Sequence, residues 1–228
     1  MLDDKYLILG LDALSRARRM DYFSDGHRGA AVIAAYYFCR EVELEDEVAD
    51  IIGAMIDEQF AETELFAPFP HEAADPTGVG RIIESVERGI GSLRQAGHNV
   101  IFPSLAIKAF RQLPEAVTPS RVEGICGLID SFTDVTDIEL GARDDIPALG
   151  YGSAAAEFIL SNLLEFIKTF EGRGQGWSGH LLTYGRALLD LREMGYISTA
   201  EQAEHAFKLY IKRGRMLLST DSSRPAHP

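Results

Sequence analysis

Along the chain, apolar positions recur at helical spacing in successive stretches, and glycine, proline or acidic breaks separate them. In the first part Tyr6, Leu9, Leu11 and Leu14 follow that period. After Ser24-Asp25-Gly26 an apolar run extends from Ala30 to Phe38, and a third segment begins in the acids Glu43 to Glu47 and continues as VADIIGAMIDEQF. Acids in a first turn complement the helix dipole. A second set repeats the order as GRIIESVERGIGSLRQ, VIFPSLAIKAFRQL and SRVEGICGLIDSF, with Thr118 predicted as N-cap and Pro119 at the first helical position. Pro103 predicts a helix that starts a turn late or kinks. The third set is SAAAEFILSNLLEFIKTF, then LLTYGRALLDLREMG ended by Gly195, then STAEQAEHAFKLYIKRGRML, where Ser198 and Glu201 have capping-box spacing. No stretch sustains a period of two, so the predicted class is all-α.

A Gly-His pair precedes the middle segment of each set: Gly26-His27, Gly97-His98 and Gly179-His180, 71 and 82 residues apart. That spacing suits a three-helix repeat. Residues 1–218 therefore read as one all-α domain of three helical triplets, at about 2–60, 78–132 and 153–217, with 219–228 as a disordered tail. The Gly-His helices are apolar over most of their circumference, which predicts burial. Three triplets with buried middle helices are expected to close into an α/α toroid, the alternatives being a bundle or a short α-solenoid. Two long connections interrupt the pattern. ETELFAPFPHEAADPTG is a Pro-rich loop whose Phe66 and Phe69 predict packing back onto the body, and another loop runs from Thr133 to Gly152.

GHNVIFPSLAIKAF resembles the segment of class II terpene cyclases in which an aromatic-Pro pair precedes a small apolar helix. GRGQGW is similar to the Gly-rich turn ending in Trp of their repeats, and LLTYGRALLDLREMGYIS to their inner helices followed by Gly-Tyr. Together these segments cover about a fifth of the chain. The resemblance implies an α/α toroid. It does not carry the reaction, because the Asp-rich acid motif of those enzymes is missing and only the pairs Asp3-Asp4 and Asp144-Asp145 occur.

Composition narrows the classes. A chain of 228 residues can bury an ordinary core without disulfides, and Cys39 and Cys126 read as buried free thiols. A net charge of −13 disfavours nucleic acid, which needs clustered Lys and Arg. Arg16, Arg18 and Arg19 read as a solvated helix end rather than an anion site. No apolar run is long enough to span a membrane. The first residues carry acids where a signal peptide has bases, and Asp12 interrupts their apolar run, so a cytoplasmic location is expected.

The chemistry-bearing residues are the three Gly-His histidines. By helical numbering His27 leads onto Ala31, Ala34 and Phe38, His98 onto Phe102, Leu105 and Ala109, and His180 onto Tyr184, Ala187 and Leu191. A helix N-terminus disfavours imidazolium, leaving the neutral ring that ligates metal or acts as a base. Three convergent imidazoles would bind Zn²⁺ or Fe²⁺ with a position left for substrate, and Asp25, Asp57 or Glu58 are candidates to complete the shell. Trp177, Tyr184, Tyr36 and Phe102 are candidate pocket residues. Gly174, Gly176 and Gly179 spell a Gly-x-Gly-x-x-Gly with no strand before it, so no nucleotide is expected. His71, His205 and His227 read as surface residues. The expected function is an enzyme acting on a hydrophobic small molecule in a central helical cavity, metal-assisted through the histidines. The alternative is a non-catalytic helical-repeat scaffold or small-ligand-binding protein whose histidines are structural.

Overall fold

The computed structural model describes residues 1–135, 137–169 and 175–220. Among them are nine α-helices: α1 (Lys5–Ala17), α2 (Tyr22–Glu41), α3 (Asp46–Ile56), α4 (Gly78–Arg88), α5 (His98–Gln112), α6 (Pro119–Asp130), α7 (Gly152–Thr169), α8 (Gln175–Glu193) and α9 (Ile197–Thr220). A π-helical turn (Asp57–Ala61) and three short 3₁₀ turns accompany them, and the one extended pairing among the described residues is an isolated bridge between Arg94 and Asp134. The protein is all-helical over these residues, and none of the helices is long and apolar enough to cross a membrane.

Several boundaries follow from local signals. Pro119 opens α6 and Gly195, at φ +92°, follows the end of α8. Others differ from expectation. Gly26-His27 and Gly179-His180 lie inside α2 and α8, with each histidine the sixth residue of its helix, and only Gly97-His98 marks a helix start. Glycine costs a helix only about 1 kcal/mol, less than the surrounding packing returns, so its presence does not oblige a break. Gly26 has a positive reason to be there, because a Cβ at that position would meet the Phe102 ring at 2.5 Å. Ser198 is already helical, so it does not cap α9. Pro103 sits within α5 and does not delay its start. The predicted tail beyond Thr220, like Gly174, lies outside the described residues.

Contacts gather the described residues into two units, 1–86 with 102–131 and 87–101 with those from 132 onward. In the first, α1 packs along α2 and against α6. Leu7, Leu11 and Leu14 of α1 meet the apolar faces that Ile33 and Tyr36 of α2 and Val122, Ile125 and Ile129 of α6 provide, all buried. Asp12, the residue that interrupts the first apolar run, is 2 % exposed and accepts from Arg121 Nε at 2.7 Å. Burial pushes its carboxyl upward, and the Arg121 guanidinium works against that rise. The Pro-rich loop is tied to this unit. Phe66 is buried, Arg16 stacks over Phe69 at 3.9 Å and donates to the carbonyls of Ala67 and Pro68, and Glu72 accepts the Ser120 amide at 2.9 Å. Glu72 thus supplies from far along the chain the cap that Thr118 was expected to give, since Thr118 makes no side-chain cap bond.

In the second unit α8 packs against both α7 and α9 around Phe166, Tyr184, Phe207 and Tyr210, all fully buried. Burial alone raises the Tyr184 and Tyr210 hydroxyl pKa values. A short pairing fastens residues 92–95 to the chain after Phe132: the Val135 amide donates to Leu93 at 2.8 Å, Gln95 Nε2 to Thr133 Oγ1 at 3.1 Å, and Arg94 pairs with Asp134. Both cysteines are free thiols, Cys39 buried and Cys126 half-buried.

Candidate metal centre

His98 is placed by the turn before it. Gln95, Ala96 and Gly97 occupy the left-handed region in succession, at φ 42°, 57° and 91°. Glycine suits the last of these for a second reason, since a Cβ there would collide with the Tyr184 ring. The chain then enters α5 with His98 as its first residue, 1 % exposed. The His98 Nδ1–H donates to the Gln95 carbonyl within that turn. His180 is fixed in a similar way from within a helix, its Nδ1–H donating to the Gly176 carbonyl one turn earlier in α8.

Those two tethers determine where the remaining nitrogens point. The Nε2 atoms of His98 and His180 stand 3.0 Å apart, with ring centroids separated by 4.6 Å and planes at 73°. A neutral imidazole protonated on Nδ1 has a lone pair on Nε2. Two such lone pairs at 3.0 Å repel unless a cation lies between them, and either a proton or a metal ion meets that need. Metal–nitrogen distances are about 2.0–2.1 Å, so two nitrogens 3.0 Å apart are close enough to serve one ion. A backbone carbonyl on Nδ1 is the usual outer partner of a metal-bound histidine, since it fixes tautomer and ring orientation. Phe132 borders His98 at 6.2 Å between centroids, giving the pair an apolar side.

His27 belongs to the first unit. It is half-buried and meets the Phe102 ring edge-on, 5.3 Å between centroids and 88° between planes. Phe102 stands one turn after His98 along α5, whose first turn belongs to the second unit and whose remainder belongs to the first. Each of the three histidines offers a ring nitrogen that can ligate a metal ion.

Two of the three candidate carboxylates are engaged elsewhere. Asp25 accepts the Asp21 amide at 2.9 Å and pairs with Arg28 at 2.7 Å, and Asp57 accepts from Lys5 at 3.2 Å and from Tyr6 at 2.9 Å. Glu58 is exposed. Among the proposed pocket residues, Tyr184 is fully buried and its hydroxyl donates to Ala203 at 3.3 Å. Tyr36 is equally buried in the first unit and bonds Asp4 and Gln112. Phe102 packs on Gly26 and His27, and Trp177 stacks on Tyr210 with centroids 4.8 Å apart. The first unit also holds a cavity of about 440 Å³ at the end of α1, between Arg16, Arg19, Glu64, Phe69 and Glu123, which helical periodicity did not point to.

The carbonyls of Gln95 and Gly176 are the functional groups that sequence reasoning missed. Backbone acceptors carry no residue signature, and Gly97 just before His98 was the one available hint of an unusual turn. No family model matches the chain, and neither a curated protein nor a solved structure is significantly similar to it. The reading of the site therefore rests on its own geometry.

Proposed function

We propose that this protein is a metal-dependent enzyme acting on a hydrophobic small molecule, with His98 and His180 as two ligands of a Zn²⁺ or Fe²⁺ ion. The observation that carries the reading is the pair of carbonyl-tethered imidazoles whose Nε2 atoms face each other at 3.0 Å. An ion held by His98 and His180 would supply Lewis acidity or an activated water. In the protein's part of that chemistry, Gln95 and Gly176 hold both rings in the Nδ1–H tautomer, and Phe132 gives His98 an apolar neighbour.

The second reading is a structural clamp without metal, in which one proton is shared between the two Nε2 atoms, and the hydrogen-bond length of their separation favours it. Titration with Zn²⁺ and Co²⁺ of protein purified without an affinity tag separates the two. The metal reading expects one equivalent bound, with Co²⁺ absorption bands that vanish in His98→Ala and His180→Ala. Absence of uptake by the wild type, with an imidazole ¹⁵N spectrum showing one proton shared between the Nε2 atoms, would leave the clamp.

A further inference from the structure

The surface formed by α2, α3 and the π-helical turn is apolar where a surface helix is ordinarily polar. α3 contacts α2, and its Ala49, Gly53 and Ile56 are buried, Gly53 against Tyr6 and Leu2, while Val48, Ile51 and Met55 on its other side are exposed, Ile51 by 53 % and Met55 by 51 %. Those three positions follow the i, i+3, i+7 spacing of a docking stripe. Beside them opens an apolar groove of about 210 Å³ between Ala31, Val32 and Ala35 of α2, Ile52 and Met55 of α3, and Phe60 of the π turn. π-helical turns are rare and concentrate at functional sites. Phe38 and Val42, at the end of α2, extend the exposed apolar surface.

On the α2 side of this groove the exposed Arg28 pairs with Asp25, whereas the stretch that contains α3 and the π turn carries charge of one sign. Residues 41–80 contain twelve Asp and Glu and no Lys or Arg. Glu43, Glu45, Asp46, Glu47, Asp50 and Glu58 are exposed and carry no ion pair among the described residues. Anionic lipid would be repelled by such a rim. A second copy of a chain with net charge −13 would be repelled as well. The basic end of α9 does not offer a complement, because Lys208, Lys212 and Arg213 already pair with Glu204, Asp144 and Asp137. The geometry points to a docking site for a basic amphipathic helix of a partner protein, its apolar anchors seated in the groove and its lysines or arginines over the carboxylates. None of the three histidines lines this groove.

A direct test uses a synthetic helix of about 18 residues built from Leu and Lys with one leucine face, and a control peptide of the same composition with the leucines spread around the helix. Fluorescence anisotropy at low salt is expected to show tighter binding of the first peptide. The variant Ile51→Ser/Met55→Ser, altered only at exposed positions, should weaken it at least about tenfold, and Asp50→Asn/Glu58→Gln should reduce its salt dependence. Equal binding of the two peptides would reduce the effect to bulk charge and overturn the proposal. So would unchanged affinity in the Ile51→Ser/Met55→Ser variant. Wild-type self-association in sedimentation, or partition onto phosphatidylcholine vesicles, abolished by that same variant would assign the face to a second copy or to lipid instead.

Discussion

α2 and α5 look alike as strings of residues and behave differently as helices. Each has a Gly-His pair near its beginning and a long apolar run, and each is expected to be buried all round. In α5 that expectation holds, since residues from His98 to Phe110 are buried or half-buried throughout. α2 buries Val32, Ile33 and Tyr36 but leaves Ala31, Ala34 and Phe38 exposed, so the stripe that His27 leads onto faces outward. The difference shows that an apolar circumference sets the capacity for burial, while the number of neighbours decides how much of it is used. α1 and α3 cover only part of α2, and the uncovered part adjoins the acid-rimmed groove.

The largest effect expected from this contrast is on stability. Phe110→Ala in α5, 1 % exposed, should cost about 3–5 kcal/mol, whereas Phe38→Ala in α2, 49 % exposed, should stay within about 0.5 kcal/mol in urea unfolding. Comparable losses at the two positions would mean that α2 is covered after all. Next comes the site at the start of α5. His180→Ala should lower Zn²⁺ affinity at least about 100-fold, or about 2.7 kcal/mol, read by competition with a chromogenic chelator, while an effect below tenfold would remove His180 from the ligand set.

A smaller and oppositely signed effect belongs to the turn that delivers His98. Ala96 stands at φ 57°, where a side chain costs about 1–2 kcal/mol, and glycine returns part of that gain through its own entropy. Ala96→Gly should therefore stabilise the metal-free protein by about 0.5–1 kcal/mol. The same change loosens the Gln95 carbonyl that orients His98, so metal affinity should fall by about tenfold, the low end for an outer partner. A variant that gains stability and keeps full affinity would show that the strained turn does not position the ring.

The start of α6 gives the mildest contrast with the start of α5, because its cap comes from the Pro-rich loop. The Ser120 hydroxyl and amide hold the Glu72 carboxyl below the usual glutamate range. A carboxylate favoured in the folded state adds stability above its ordinary pKa and loses it as pH falls through the folded value. The unfolding midpoint of the wild type should thus drop on acidification from the ordinary glutamate range downward, and Glu72→Gln should remove a small part of that slope. An unchanged slope in Glu72→Gln would detach the loop from the stability of α6.

Much of the helical order was legible before any coordinates. The apolar period located each helical stretch, and the backbone demands of Pro119 and Gly195 marked two boundaries closely. Signals that rest on side-chain competition did worse. Ser198 has capping-box spacing yet is helical, and Thr118 stands at the cap position without making the bond, because Glu72 takes the free amide. Gly26 and Gly179 precede the apolar middle segments yet lie inside their helices, because a glycine inside a helix is a small penalty that neighbouring contacts override.

For the candidate site, the sequence by itself determined which residues can do the chemistry: imidazoles at corresponding places in apolar segments, with Gly97 before one of them as a sign of an unusual turn. It also determined the all-helical class, since a period of 3.6 is a local property of neighbouring residues. Only the tertiary structure decided that the Nε2 atoms of His98 and His180, 82 residues apart, face each other, and that the carbonyls of Gln95 and Gly176 lock both rings in that attitude. It also decided which face of α2 is left bare. The reason is common to all three: a pattern along the chain specifies what each residue can offer, but ligand geometry, tautomer and coverage depend on what stands opposite.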